Sequence, residues 1–264
     1  MRMRFRREQG TGWRRVRAVA DARPGEKHRT IWERVRQGAA IVSSSVLSAM
    51  LLASCISSSG VHNTRPGQGT LLDRPIGPGL RKILVDLRTD PPLCRQTLRD
   101  RGIRVMALSD FRESGGCSLE NGVAYGGDRT RLSQEARITC PMAAALSVWE
   151  QQIVAPAAQR HFRSDMRIVK VLSAYSCRTR YSKPGAVLSE HGKGDAIDIG
   201  GFRLSDGRTI SLEHGWRGKH DEAAFLREVR DGSCEIFNAV LSPDYNAAHY
   251  NHLHFDLGRD RLCR

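Results

Sequence analysis

The residue types best suited to chemistry lie in two short segments that are far apart in the chain. The first segment, residues 189–198, contains His191 and Asp198. The second lies near the C-terminus and holds three of the nine histidines in the sequence: His249, His252 and His254. Two imidazoles and one carboxylate, with a fourth position open to water, form the ligand set of a catalytic zinc site. We therefore predict that His191, Asp198 and His254 bind Zn²⁺.

The sequence around these ligands predicts two strands that present them to one cleft. Successive strand residues point to opposite faces of a sheet. A strand over 252–257 would therefore place His254 on a polar face and its leucine and phenylalanine neighbours on an apolar one. A strand over 197–204 would turn Asp198 away from the isoleucines that flank it. The glycines between His191 and Asp198 free the backbone there, so that the two side chains can converge.

Three further residues complete the predicted catalytic set. His252 is expected to reach the cleft of its neighbour His254, to take a proton from the attacking water and to deliver it to the leaving amine. Arg178 is expected to stabilise the oxyanion that forms on the substrate carbonyl. His249 is expected to orient the metal ligands. Two other residues are candidates for the same orienting role: Ser189 and Asp256.

Hydrophobic periodicity predicts an α+β fold. An apolar stripe at helical spacing runs through 141–155, and Pro156 is expected to kink or end this helix. A second amphipathic helix is expected over 220–234, and β-branched residues over 166–175 predict a strand. The stretch 112–139 is polar and rich in glycine, so we expect it to be irregular. The prediction is a small, mostly antiparallel sheet flanked by helices, with the zinc site in a cleft on the sheet.

The cysteines indicate an exported, disulfide-stapled domain. Apart from Cys55, the chain has six cysteines that are widely spread: Cys94, Cys117, Cys140, Cys177, Cys234 and Cys263. They form no Cys-x-x-Cys pair of the kind that indicates structural zinc. An even number in an exported chain predicts three disulfides and an oxidising compartment. Six cysteines allow 15 pairings, and the sequence does not select one of them.

The N-terminal residues predict export and a lipid anchor. Residues 1–54 read as a basic leader and signal peptide, whose apolar run over 39–54 is shorter than the ~20 residues that a spanning helix needs. This run ends in a sequence that resembles a bacterial lipobox, in which Cys55 would be lipidated. The alternative is an ordinary signal peptide or an uncleaved anchor. A Ser-, Gly- and Pro-rich tether is expected over 55–84 and a catalytic domain over 85–264, located in the periplasm.

The net charge of +14 does not by itself indicate a nucleic-acid-binding protein. Residues 1–54 carry 12 Lys and Arg and 4 Asp and Glu, a net charge of +8, so the rest of the chain carries +6. This mild excess favours an anionic partner such as a cell-wall polymer, or is an ordinary solvated surface. The loop charges Glu190 and Asp195 are expected to be solvated. With no recognised motif or aromatic platform, we expect no nucleic acid as partner.

The residues of the first segment resemble a known metallopeptidase motif. Ser189-x-His191-x-x-Gly194-x-Ala196-x-Asp198 is similar to the Ser-x-His-x-x-Gly-x-Ala-x-Asp motif of D-Ala-D-Ala metallopeptidases, in the superfamily that includes lysostaphin-type peptidases and the hedgehog signalling domain. The spacing of His249, His252 and His254 resembles that of the penicillin-insensitive murein endopeptidases. The resemblance implies that His191, Asp198 and His254 bind zinc and that His252 takes part in catalysis.

The region from about Cys94 to the C-terminus resembles more closely the bacterial extensin-like C-terminal domain family. Four stretches carry this resemblance: 173–178, 188–191, 243–249 and the terminal Cys263-Arg264. No extensin-type repeat is visible in the sequence. We therefore expect an exported zinc metallopeptidase that hydrolyses peptide bonds in the cross-links or stem peptides of peptidoglycan. The alternative is a cell-wall-associated lipoprotein that binds zinc without turnover, for which a general base such as His252 would be unnecessary.

Overall fold

The computed structural model describes residues 69–264. The predicted signal peptide, Cys55 and the tether up to residue 68 lie outside the described residues. The helices of the described part are α1 (Pro78–Thr89), α2 (Pro91–Asp100), α3 (Cys140–Trp149), α4 (Ala155–Phe162), α5 (Leu212–Gly215) and α6 (His220–Ser233). Within residues 69–264, none of them has both the length and the apolar content that crossing a bilayer requires.

The strands form one large sheet and one small hairpin. They are β1 (Met106–Ala107), β2 (Phe111–Arg112), β3 (Ser118–Leu119), β4 (Gly122–Gly127), β5 (Arg131–Thr139), β6 (Met166–Ser173), β7 (Ala196–Leu204), β8 (Thr209–Ser211), β9 (Ala239–Leu241), β10 (Leu253–Asp256) and β11 (Leu262–Cys263). The main sheet has nine strands in the order β1-β4-β5-β6-β7-β10-β9-β11, with β8 also paired to β7. Strands β2 and β3 pair separately.

The α+β class is confirmed, but the sheet is larger than predicted and mixed, because it contains two parallel strand pairs. Strand β5 pairs with β6 in parallel, and β11 pairs with β9 in parallel. The first of these pairs has a structural reason. The chain leaves β5, runs through α3 and α4 and re-enters the sheet beside β5, and a crossover of this length returns the next strand in the same direction.

The core lies on one face of the sheet, under the helices. A row of paired residues across β5, β6, β7 and β8 is buried throughout: Leu132, Val169, Phe202 and Ile210. Trp149 of α3 packs on Phe202 with 6.1 Å between ring centroids, and Phe225 of α6 packs on the same ring at 5.2 Å. Trp149 also meets Phe255 of β10 at 5.3 Å. Burial of large aromatic rings is the main source of stability at such a helix–sheet contact.

The fold begins before the predicted boundary at residue 85. Leu72, Leu80 and Leu84 are almost completely buried, with exposed fractions of 0%, 2% and 4%. All three belong to the core cluster that also contains the residues of α3. Pro78 starts α1 at the first helical position, where a missing N–H costs nothing. The segment 69–84 is thus part of the folded domain rather than of the tether.

The prediction that the stretch 112–139 is irregular is wrong. It contains the paired strands β4 and β5: the first four residues of β4 are buried, and β5 places Leu132, Ala136 and Ile138 in the core. Pro156 was expected to kink or end the central helix; the helix continues through it, but its regular α-helical geometry is interrupted just before the proline. The five residues Glu150–Val154 form a π-helical turn that joins α3 to α4. Its wider turn accommodates a proline, which can neither donate a backbone hydrogen bond nor tolerate the preceding carbonyl at normal α-helical distance.

The three expected disulfides are confirmed. The pairs are Cys94–Cys140, Cys117–Cys177 and Cys234–Cys263. The first ties α2 to α3, and the third ties the end of α6 to β11. The second joins the β3 segment to the residue before Arg178. Each bridge closes a loop of several tens of residues and so removes conformational freedom from the unfolded chain.

The buried carboxyl group of Glu150 gives the fold a pH dependence. Tyr125 donates a hydrogen bond to Glu150 at 2.8 Å, and the backbone N–H of Asp128 donates another at 3.2 Å. Burial outweighs these bonds and raises the pKa of Glu150 to about 8. An unfolded glutamate titrates near ~4.3. Between these two values the native state holds a proton that the unfolded state has lost, so stability falls as the pH rises.

The free energy of unfolding should therefore fall between about pH 5 and pH 8, by up to ~1.4 kcal/mol per pH unit from this one group. In Glu150→Gln this component of the slope should disappear, because the amide carries no titrating proton. Urea unfolding of both proteins at pH 5, 6.5 and 8 measures the difference between their free energies of unfolding at each pH. The contributions of the other titrating groups are the same in both proteins and cancel in this difference. The exposed Glu213→Gln is the matched control and should keep the wild-type slope. Equal slopes for Glu150→Gln and the wild type would contradict the prediction.

Candidate metal centre

Two adjacent strands bring Asp198 and His254 face to face. Asp198 in β7 and His254 in β10 are direct partners in the antiparallel pairing of these strands. Their neighbours Ile197 and Phe255 are also paired, and both are completely buried in the core. The strand alternation therefore turns Asp198 and His254 to the opposite face of the sheet, as the sequence predicted.

His191 reaches the same point from a short 3₁₀ turn, Glu190–Lys193. The side chain of Ser189 caps this turn by accepting a hydrogen bond from the backbone N–H of His191 at 3.4 Å. Gly194 ends the turn with φ +68°, and a Cβ at this position would lie 2.3 Å from a methyl group of Leu119. Glycine is required here because it alone combines the left-handed backbone with the absence of a side chain.

The three predicted ligands form a tight cluster. The Nε2 atom of His191 lies 3.1 Å from Oδ1 of Asp198, and Nδ1 of His254 lies 2.9 Å from the same oxygen. The two imidazole nitrogens are 3.2 Å apart. One ligand atom from each residue thus lies within 4.8 Å of the others, a spacing at which a single ion can bind all three.

The far side of each imidazole ring is held by a fixed partner. His191 donates from Nδ1 to the backbone carbonyl of Ala174 at 2.6 Å, and His254 donates from Nε2 to Asp256 at 3.1 Å. In a neutral ring these bonds leave a lone pair on the nitrogen that faces Asp198. Two lone pairs and a carboxylate oxygen then point at one another, which is stable only with a positive charge between them. Metal-binding histidines in proteins are held by outer partners of this kind.

The electrostatics of the cluster also favour a positive charge. Burial opposes ionisation of Asp198, but its close contacts with the imidazoles of His191 and His254 outweigh burial and hold the pKa of Asp198 well below its usual range. Burial likewise opposes a charge on His254, but the bonds to Asp198 and Asp256 raise the pKa of His254 to about 9. The donor set and its charge therefore fit a divalent cation with a preference for nitrogen and oxygen ligands, such as Zn²⁺.

His252 and His249 lie beside the cluster. His252 comes just before β10, with Nε2 3.6 Å from Oδ1 of Asp198. The ring of His249 lies 5.1 Å from that of His252 and 6.0 Å from that of His254, measured between centroids. Burial lowers the pKa of His252, and burial together with the neighbouring imidazolium charges lowers the pKa of His249 to about 4. Both rings therefore favour the neutral form, in which one nitrogen can accept a proton.

Arg178 is on the rim of the site. Its guanidinium lies 3.6 Å from Oδ2 of Asp198, and its side chain is 39% exposed. The backbone carbonyl of Arg178 accepts a hydrogen bond from the N–H of Ser189, which ties its loop to the turn that carries His191. The disulfide of the preceding Cys177 anchors the same loop to Cys117.

The cluster forms the floor of a cavity of about 330 Å³. The side chains that border it include the following: Arg178, Tyr181, Tyr245, His249, His252 and Arg259. The volume is at the lower end of the range for small-molecule sites. A space of this size can hold a short segment of a larger molecule.

The sequence analysis missed Asn246 and Tyr181. The side-chain oxygen of Asn246 accepts a hydrogen bond from Nδ1 of His249 at 2.8 Å, and its amide donates to the hydroxyl of Tyr181 at 3.1 Å. Asn246 thus fixes the orientation of His249 and links it to the cavity wall. The short interval between Asn246 and His249, within a stretch already noted for its resemblance, was the available signal. Tyr181 is distant in sequence and offered none.

The prediction that Asp195 is a solvated charge is wrong. It is buried, accepting hydrogen bonds from Arg88 of α1 and from Thr139 at the end of β5, both at 2.7 Å. Glu190 is also largely covered, with its side chain 11% exposed and paired to Lys193 at 3.0 Å. These contacts fix both ends of the loop between His191 and Asp198, so that they contribute to the positions of these two side chains.

Comparisons with known proteins gave one match. A family model described as "Extensin-like protein C-terminus" matches residues 92–264. This span contains all the residues of the cluster and of the cavity. Nothing among curated proteins and nothing among solved structures matches the chain.

Proposed function

The chain belongs to the extensin-like protein C-terminus family, and from this premise we propose that it is an exported zinc metallopeptidase that hydrolyses peptide bonds in peptidoglycan. The observation that carries the proposal is the convergence of His191, Asp198 and His254 on one point, with an outer partner on each imidazole. Two histidines and a carboxylate with room for a further ligand form a zinc set of hydrolases. An inert structural site would instead be closed by four protein ligands.

The metal contributes one part of the chemistry. Zn²⁺ held by these residues supplies a Lewis acid that lowers the pKa of water and polarises a peptide carbonyl. The protein residues supply the rest. A neutral His252 can accept the proton of the attacking water, and it can deliver this proton to the amine that leaves. The guanidinium of Arg178, at the rim of the site, can stabilise the negative charge that forms on the carbonyl oxygen.

His249 has a positioning role in this proposal. Its Nδ1 is fixed by Asn246, and its ring packs beside those of His252 and His254. A fixed neighbour limits the rotation of His252 and excludes bulk water from that side of the cluster. Catalytic groups held within a fraction of an ångström gain more than groups that must be ordered during the reaction.

The substrate assignment rests on export and on the shape of the site. Disulfides form and persist outside the cytosol, which agrees with the predicted signal peptide and periplasmic location. The predicted lipid at Cys55 would keep the domain at a membrane that faces the cell wall. The cavity is open on one side, so that a short peptide segment can enter while the rest of a polymer remains outside.

Digestion of muropeptides tests the proposal directly. The purified full chain should convert cross-linked or stem-peptide muropeptides into shorter products that mass spectrometry identifies. A zinc chelator should stop the conversion, and added Zn²⁺ should restore it. An unchanged muropeptide profile in the presence of stoichiometric zinc would reject the peptidase and favour the alternative of a zinc-binding wall protein without turnover.

A further inference from the structure

The sheet face that carries the metal cluster continues into an open, solvent-exposed surface. Three strands of this surface present a row of paired residues, Arg131 in β5, Ile168 in β6 and Arg203 in β7, and Arg203 pairs further with Thr209 in β8. The adjacent row in the same strands is the buried core row that contains Phe202. The two rows therefore point to opposite faces, and the row with Arg131 and Arg203 faces solvent.

The exposed surface is basic. We define the basic face as Arg131, Arg137, Lys170 and Arg203, which are all exposed. Among the described residues, none of these four forms an ion pair with a carboxylate, whereas many other surface arginines do. Arg137 instead lies over the rings of Phe111 and Tyr175, at 5.5 and 5.7 Å from their centroids. Strands β5, β6 and β7 contain one exposed acidic residue, Glu135, against the four cations of the basic face.

A register shift puts the basic face and the metal cluster on the same side of the sheet. In a regular strand, residues three apart point to opposite faces. Ile199 and Phe202 are three apart in β7, yet both are buried in the core. The irregularity coincides with a shift in the pairing of β6 with β7 between Lys170 and Val171. Asp198 and Arg203 therefore both point away from the core. They are separated by about 16 Å along β7, at ~3.3 Å per residue. A chain that enters the cavity can thus extend along β7 to Arg203.

We propose that the basic face binds the carboxylate groups of an anionic cell-wall polymer and holds it along the sheet, with one segment of the polymer in the cavity. The identity of the polymer rests on the proposed function, since stem peptides of peptidoglycan carry free carboxylates. The site itself rests on the four exposed cations, which form no ion pair within the described residues, and on Arg203 and Asp198 facing the same side of β7. Exposed cations on one surface attract a polyanion and raise its local concentration.

A membrane surface fits the basic face less well. Membrane-binding surfaces combine cations with large apolar or aromatic side chains that enter the lipid. Two large apolar side chains are exposed around the basic face: Leu172 in β6 is 39% exposed, and Met106, in the same paired row as Arg137, is 61% exposed. The nearby aromatic rings of Phe111 and Tyr175 are covered by Arg137. Leu172 and Met106 lie in different strands, β6 and β1, and do not form the continuous apolar face that insertion into lipid requires.

Sedimentation with insoluble peptidoglycan tests the proposal. The full chain carrying His252→Ala is used, so that the polymer is not digested during the assay. It should co-sediment at low salt and be released at high salt, where screening acts within ~3 Å. Adding Lys170→Glu and Arg203→Glu should weaken binding about tenfold, because two attractions become repulsions of the size of surface ion pairs. The control with Arg99→Glu and Lys219→Glu, which lie in and next to helices on the other face, should bind normally.

Further arms separate the possible outcomes. Peptidoglycan whose carboxyl groups have been converted to amides should fail to retain the protein. Lys170→Gln with Arg203→Gln repeats the test with a milder change if the charge reversal disturbs folding. Equal binding of the basic-face and control variants would overturn the proposal. So would stronger retention by vesicles of one part anionic to three parts neutral phospholipid, or by duplex DNA, than by peptidoglycan.

The binding assay does not depend on catalysis, so it distinguishes failure of this inference from failure of the proposed function. With His252 restored, the Lys170→Glu/Arg203→Glu variant should cleave small soluble muropeptides at the wild-type rate but digest insoluble peptidoglycan about tenfold more slowly. Loss of both activities would show that the substitutions damage the site and would contradict a separate docking surface. Binding without any cleavage would leave the basic face in place and remove the peptidase.

Discussion

The His254→Ala variant is expected to bind zinc more than ~100-fold more weakly than the wild type and to leave muropeptides uncut. Loss of an outer partner of a metal ligand already costs 10–100-fold in affinity, and loss of the ligand itself should cost more. His254 also shares its Nδ1 contact with Asp198 at 2.9 Å, so its removal leaves the carboxylate without one of its two imidazole partners. Zinc titration by calorimetry and metal analysis of the purified proteins measure the change.

A graded series tests whether the loss arises at the metal centre. Asp256→Asn should weaken zinc binding by ~10–100-fold, because the amide is a poorer acceptor for the Nε2–H of His254. His220→Ala removes a histidine whose side chain is 95% exposed, and it should bind zinc as the wild type does. Chelation should lower the melting temperature of the wild type and not that of His254→Ala, because only a protein that binds the ion gains stability from it. Equal zinc affinity for all these proteins would refute the metal centre.

The clustering of His191, Asp198 and His254 was predictable because two independent features of the sequence indicate it. Local alternation in two strands placed Asp198 and His254 on the faces opposite Ile197 and Phe255, and the spacing of the two segments resembles a known motif. A strand needs only its own residues to define its two faces. The positions of His191, Asp198 and His254 in the structure agree with this prediction.

The supporting contacts were not predictable in the same way. Asp195 looks like any charged residue in a glycine-rich loop until α1 brings Arg88 to it from 107 residues away. The bond between Asn246 and Tyr181 likewise joins residues that are 65 positions apart. Contacts of this kind form only in the assembled fold. The local sequence around a polar residue does not show which distant residue will bind it.

The mixed sheet and the π-helical turn escaped prediction for different reasons. The parallel pairing of β5 with β6 depends on where the crossover through α3 and α4 returns, which periodicity does not encode. At Pro156 the local rule was applied correctly, since a proline does break a regular α-helix. The protein meets this rule by widening the helix over Glu150–Val154 instead of ending it. The sequence predicts that Pro156 disturbs the helix, but the packing of the folded protein determines whether the helix ends or widens there.

The His252→Ala variant is expected to keep its zinc and to lose a factor of ~10²–10⁴ in kcat, the usual contribution of a general acid–base. His252 lies 3.6 Å from Asp198, but its Nδ1 is bonded to Asn251 at 2.9 Å, and it is not one of the three clustered ligands. Its removal should therefore leave zinc affinity within a few-fold of the wild type. Steady-state kinetics with a defined muropeptide, together with zinc titration, separates the two effects.

The comparison with His249→Ala makes this prediction specific to the proton-transfer role. His249 is a positioning residue held by Asn246, so its loss should reduce kcat by a smaller factor than the loss of His252. Imidazole added to the solvent should partly restore His252→Ala, because truncation opens space beside the cluster for a small base. It should not restore His254→Ala, whose missing group is a metal ligand. If His252→Ala lost its zinc together with its activity, His252 would instead belong to the ligand set, and the roles of the last two histidines would have to be exchanged.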